Sequence, residues 1–143
     1  MADFGVGNNT LAPTIGQPQT VVDSGAIITL TNAGAGTTNS ADQENNGGRG
    51  LAVVLDITAN SGTIDVTLNI QVKDKASGKY ITLLSSVSKT ATGTYRYVVY
   101  PTITASANLI AQDVLPEIWR LQVVCGAGSS PQVTLTAGAC VIP

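Results

Sequence analysis

The sequence predicts an all-β protein: a two-sheet antiparallel β-sandwich, Greek-key or jelly-roll-like, with an extended N-terminal arm. Three observations predict it. Charged residues make up only 11% of the chain, well under half the ~25% of ordinary globular proteins. Threonine, glycine and asparagine stand in their place, and these favour pleated strands and tight turns. Several segments alternate apolar and polar residues with period two, the pattern of a strand with one face on a core. One long segment fits no period and reads as a connection that changes sheets.

Residues 1–20 form the predicted arm and residues 21–143 the sandwich domain. Gly5, Gly7, Pro13, Gly16 and Pro18 punctuate the arm, so no regular element is expected in it. Its apolar residues Phe4, Val6, Leu11 and Ile15 follow no pattern that buries them within the sandwich. Each larger one left in water forgoes ~1.5–3 kcal/mol. These four are therefore the candidate interaction residues, expected to pack on a neighbouring subunit.

Val21–Thr31 reads as a first strand, broken at Ser24-Gly25. Asn32–Gly48 has no large apolar side chain and is expected to be a long polar loop outside the core. Arg49–Thr58 is a strand with Leu51, Val53, Leu55 and Ile57 on one face. In Thr63–Lys73, Ile64, Val66, Leu68, Ile70 and Val72 alternate strictly with polar residues. Asp74–Gly78 is a hairpin turn and Lys79–Ser88 the return strand. Thr94–Tyr100 is a strand ended by Pro101. Thr102–Pro116 is the crossing connection, with room for one helical turn. Glu117–Cys125 places Trp119, Leu121 and Val123 on one face. Gln132–Ile142 places Val133, Leu135, Ala137, Ala139 and Val141 in phase. These last two strands are expected to form a hairpin around Gly126–Pro131. In that arrangement Cys125 and Cys140 lie too far apart for a disulfide, and both thiols stay free.

Composition excludes several functions. The chain has no histidine, which removes the usual general base, the Ser-His and Cys-His pairs and the commonest metal ligand. No catalytic, cofactor-binding or metal-binding residue is assigned, and the protein is expected not to be an enzyme. Asp42-Gln43-Glu44-Asn45-Asn46 offers oxygen ligands, but at no recognised calcium-loop spacing. The net charge is −2 and the basic residues are scattered, against nucleic-acid binding. No apolar stretch reaches the ~20 residues of a membrane span. The start, Met-Ala-Asp-Phe-Gly, has no signal-peptide pattern, so synthesis in a cytosol is expected. Trp119 and the four tyrosines could make a sugar-stacking platform. Yet Trp119 is in phase with core positions.

Four stretches carry a family resemblance. They are Arg49-Gly50-Leu51-Ala52-Val53-Val54-Leu55-Asp56-Ile57-Thr58, Lys73-Asp74-Lys75-Ala76-Ser77-Gly78-Lys79-Tyr80, Tyr97-Val98-Val99-Tyr100-Pro101, and Asp113-Val114-Leu115-Pro116-Glu117-Ile118-Trp119-Arg120-Leu121. Across Arg49–Val141 the chain resembles small structural proteins of tailed bacteriophages, of the capsid decoration or cement kind. The resemblance implies a non-enzymatic virion component on the capsid exterior, made in the host cytoplasm. Its partners would be the major capsid protein or neighbouring virion subunits. It also implies a homo-oligomer, a trimer in the first instance. The rival expectation is a receptor- or glycan-binding module of a fibre or tail.

Overall fold

A computed structural model describes residues 26–126 and 132–143. Its strands are numbered along the chain. Sheet A has the order β1 (Ala26–Ala33), β10 (Gln132–Ile142), β4 (Gly50–Ser61), β7 (Gly93–Val99) and β8 (Ile110–Ala111). Sheet B has the order β2 (Gly36–Asn39), β9 (Ile118–Cys125), β5 (Val66–Lys73) and β6 (Tyr80–Ser85). β3 (Gln43–Glu44) continues along the β2 side of β9. All pairs are antiparallel except β7 with β8.

With the two-residue β3 and β8 set aside, the pairing is nested. The first main strand pairs with the last (β1·β10), the second with the second-last (β2·β9), then β4 with β7 and β5 with β6. A long hairpin rolled up on itself gives this nesting, and it defines a jelly roll. The Greek-key or jelly-roll expectation thus resolves to the jelly roll.

The period-two pattern explains the core. All five alternating residues of the β5 region, Ile64 to Val72, are buried. From sheet B, Trp119, Leu121, Val123 and Cys125 join them. From sheet A come Leu51, Val53, Leu55, Ile57, Val133, Leu135, Ala137 and Tyr97. One face of each sheet therefore packs on the other. The β5–β6 hairpin is closed by Asp74. Its carboxylate accepts hydrogen bonds from the Ser77 hydroxyl at 2.6 Å and the Ser77 N–H at 3.0 Å. Gly78 takes the left-handed φ of 73° that the turn requires.

Four expectations need correction. Asn32–Gly48 is not a plain loop: it supplies β2 and β3, which pair with β9. An edge strand needs only backbone hydrogen bonds, so it can form without apolar side chains. β9 and β10 are not a hairpin, because they lie in different sheets. Both cysteines are nevertheless free, and Cys140 is exposed while Cys125 is buried. The 102–116 connection does cross from sheet A to sheet B, but it carries the short β8 and no helical turn. The return strand, expected over Lys79–Ser88, spans only Tyr80–Ser85; it buries Leu84, while Ile81 and, beyond its end, Val87 are exposed.

Candidate functional site

Phe4, Val6, Leu11 and Ile15, the candidate interaction residues, lie outside the described residues, as does the proposed boundary at residue 20. The described chain begins at Ala26 on β1, an edge strand of sheet A. Three surfaces of the sandwich remain to be weighed as sites.

The first comprises the two open sides of the sandwich. β1 and β2 end the sheets on one side, β8 and β6 on the other. β1 reads AIITLTNA, β2 GTTN, β6 YITLLS and β8 IA. None of these four carries a charged side chain; the two-residue β3, which continues the β2 edge, carries Glu44. Sheets of monomeric proteins usually guard their edges with lysine, proline or inward charge. The β6/β8 side also exposes large apolar residues: Ile81 at 57%, Val87 at 54% and Leu109 at 47%. Asn108 donates to the Ser85 carbonyl at 2.8 Å. That bond pins the turn bearing Leu109 to the end of β6, two residues from Val87.

The second is the outer face of sheet B, a connected polar network. Gln122 donates to Asn39 and accepts from Asn69, both at 2.9 Å. Gln71 donates to Thr82 at 3.2 Å and accepts from Arg120 Nε at 2.8 Å. The Arg120 guanidinium stacks on the Tyr80 ring. The Tyr80 hydroxyl donates to Asp42 at 2.6 Å, and Lys73 pairs with the same carboxylate at 3.0 Å. The Tyr80 bond first, then the Lys73 bond, hold the Asp42 carboxyl below its ordinary value. Asn45 fixes the same segment further on, donating to the carbonyls of Gly48 and Leu115. The Asp42–Asn46 cluster is thus spent on tying residues 40–48 to sheet B. Among the described residues no group of three or more acidic, cysteine or histidine side chains is placed to hold a metal ion.

The third is an open trough of about 420 Å³ on the outer face of sheet A. It starts at Ala26 on β1. It crosses Gly138 and Cys140 on β10 and Ala52 and Val54 on β4, then ends at Thr94 on β7. Cys140 faces Ala52, and Gly138 faces Val54, as cross-strand pairs. Outward positions of a half-solvated antiparallel sheet are ordinarily polar. Here Ala52 and Val54 break that rule, and Val54 is 40% exposed.

The sugar platform does not assemble. Trp119 and Tyr97 are buried on the inner faces, and Tyr95 packs against the core. Tyr80 alone of the tyrosines stands on the outer face of sheet B, with Arg120 against its ring. Sequence reasoning had no signal for the Arg120–Tyr80–Asp42 network. Its members are polar, outward-facing and far apart in the chain.

No family model matches this chain, and no curated protein matches it. Among solved structures it is similar to a chain of the "Structure of infectious bursal disease virus Gx strain". The identity is 10%, over 80% of this chain and 29% of that one, with a TM-score of 0.39. This chain therefore spans less than a third of that protein's length, and the likeness is too slight to carry function from one to the other.

Proposed function

We propose that this chain is a non-enzymatic structural protein of a bacteriophage virion, a capsid decoration or cement protein that binds the shell from outside and stabilises it. One observation carries the reading: β1, β2, β6 and β8, the strands that end the two sheets, carry no charged residue, and only the two-residue β3 beside β2 adds one, Glu44. An unguarded edge is a template for pairing, and a subunit whose task is lateral assembly benefits from having two. Jelly rolls serve in viral capsid proteins, in lectins and in cupins. That is an analogy of fold, and function must rest on the site. A lectin use is disfavoured here, because the one outward aromatic on sheet B already stacks with Arg120. A cupin-like metal centre would lack its usual imidazole ligands, since the chain has no histidine.

In this reading the partners are the major capsid protein and neighbouring copies, with a closed ring such as a trimer as the default symmetry. The arm residues Phe4, Val6, Leu11 and Ile15 contribute apolar contacts to the shell or to a neighbour. The protein acts on the capsid exterior after synthesis in the host cytoplasm. The test is co-sedimentation of the purified protein with emptied phage capsids stripped of decoration, alongside a glycan array. Saturable pelleting with a silent array is the expected result. Array binding without pelleting would replace this reading with the fibre or tail module.

A further inference from the structure

The chain leaves sheet B at β3 and enters sheet A at β4, and residues 45–49 make the corner between them. Both ends of this corner are fixed. On the sheet B side the Asn45 N–H donates to the Glu117 carbonyl at 2.7 Å, and its side-chain amide donates to the Leu115 carbonyl at 2.9 Å. On the sheet A side the Arg49 N–H donates to the Ile142 carbonyl at 2.7 Å. Gly48 packs so close to Val141 that no Cβ fits between them. The Asn45 side chain also clamps Gly48, accepting from its N–H and donating to its carbonyl, both at 2.8 Å.

Asn46 and Gly47 lie between these anchors, and both are exposed. Among the described residues the Asn46 side chain makes no hydrogen bond, and the Gly47 N–H has no acceptor. Gly47 has a φ of 101°, a value that favours glycine, and a Cβ built on it would meet nothing. Asn46 is the one asparagine of the chain followed by glycine. That neighbour matters chemically. The backbone nitrogen of the next residue can attack an asparagine side-chain carbonyl carbon and close a succinimide ring, and a side chain on that next residue obstructs the attack. The side-chain amides of Asn45, Asn60, Asn69 and Asn108 all donate hydrogen bonds, and a residue bulkier than glycine follows each of them.

We propose that Asn46 is a self-modification site, cyclising onto Gly47 in the folded protein and reopening as aspartate or isoaspartate. The Gly47 nitrogen gives its proton to solvent and attacks Cγ of Asn46. The N–Cγ bond forms, the Cγ–Nδ2 bond breaks, and Nδ2 takes a proton from water and leaves as ammonia. A water molecule then opens the imide. Attack at Cγ restores the ordinary backbone and leaves aspartate. Attack at the Asn46 main-chain carbonyl leaves isoaspartate, with the chain routed through Cβ. Either product adds one negative charge to the net charge of −2, because a carboxyl is ionised at neutral pH. Isoaspartate also adds a methylene to the corner. With both ends fixed, the extra length falls on the contacts of Asn45 and Gly48 and loosens the hold of β3 on β9. The modification concerns one chain, so it stands or falls independently of the virion reading.

The test is to hold the purified full-length protein folded in mildly alkaline buffer and sample it by anion exchange and peptide mapping, with circular dichroism to check the fold. A more acidic species should accumulate, its peptide carrying aspartate or isoaspartate at position 46. Its rate should rise with pH, as attack by a deprotonated nitrogen requires. Asn46→Gln, whose longer side chain closes such a ring far more slowly, should lose this species. Hydrogen-exchange protection at Asn45 should fall in the isoaspartate fraction, as a local opening does. It should hold in Asn46→Asp, which carries the charge without the methylene. A position 46 that stays intact in the folded chain but reacts in urea would show that the corner keeps Asn46 away from the Gly47 nitrogen, and would overturn the proposal. An acidic species that persists unchanged in Asn46→Gln would overturn it as well. Equal Asn45 protection in the isoaspartate fraction and in Asn46→Asp would overturn the loosening of β3.

Discussion

The guanidinium of Arg120 lies 3.4 Å from the centroid of the Tyr80 ring. The two residues belong to β9 and β6, and β5 runs between them. Arg120 spans that strand because Gln71, on β5, accepts its Nε–H at 2.8 Å and holds the side chain flat. A planar cation over an aromatic face is favourable. The ring is in turn oriented by its hydroxyl, which donates to Asp42. One outward-facing chain of contacts thus links sheet B to the segment that carries β2 and β3.

Acid should undo that link before it undoes the sandwich. Asp42 is held below the ordinary 3.8 by its hydrogen bonds from Tyr80 and Lys73, and Asp74 by those from Ser77. A carboxyl lowered on folding stabilises the folded state fully above its unfolded value. The contribution fades as pH falls through the lowered value. Both groups are solvent-exposed, so the effect is local. Hydrogen-exchange protection at Asn45, whose N–H donates to the Glu117 carbonyl, should fall below pH 3.8 and in Asp42→Asn at neutral pH, while that of the core amides of β5 holds. With no histidine in the chain, stability should be flat from pH 5 to 8. A transition in that window, or unchanged exchange in Asp42→Asn, would contradict this account.

Among the described residues, two polar atoms in the core lack a hydrogen-bond partner: the Tyr97 hydroxyl and Trp119 Nε1. Burial pushes the Tyr97 phenol above its ordinary value, and Ser86 beside it offsets only part of that. No well-aligned hydrogen bond joins the pair, and the Ser86 hydroxyl accepts from the Leu68 N–H. Removing an unsatisfied hydroxyl is nearly neutral or stabilising, whereas losing a made bond costs about 1 kcal/mol. Tyr97→Phe should therefore unfold in urea at the wild-type midpoint or above it. Trp119→Ala leaves a large cavity and should cost ~3–5 kcal/mol. A clear loss in Tyr97→Phe would mean that its hydroxyl is bonded.

The core was legible in the sequence because burial imposes a period. Ile64, Val66, Leu68, Ile70 and Val72 alternate on the page and are all buried in the fold. Trp119, Leu121 and Val123 behave the same way. Sheet membership has no such period. Gly126–Pro131 looks like a hairpin turn, yet the chain passes there from sheet B to sheet A, and nothing in the alternation of β9 or β10 distinguishes the two. β2 was illegible for another reason: Gly36–Asn39 is held by backbone bonds to β9, and those leave no mark on side-chain choice. The outer faces left no such mark, and the apolar Ala52 and Val54 on β4 came to light only in the structure.

The charge-free edge strands β6 and β8 give the last prediction. On the β6/β8 side, Ile81 and Leu109 are exposed, so a lysine at either place meets water in an isolated subunit. Surface substitutions of that kind usually change folding stability by no more than about 0.5 kcal/mol. In an oligomer built through this side, the same lysine would be buried without a partner, and an unpaired buried charge is strongly unfavourable. Ile81→Lys and Leu109→Lys should therefore leave the thermal unfolding of the monomer near that of wild type. If the chain forms the proposed oligomer through this side, both should shift its sedimentation profile towards monomer. As a control, Lys75→Ala in the β5–β6 turn removes only an exposed ion pair with Glu117, and it should leave the oligomer intact. If both lysine variants sediment as wild type does, this side of the sandwich is free in the assembly, and the β1/β2 side becomes the surface to substitute.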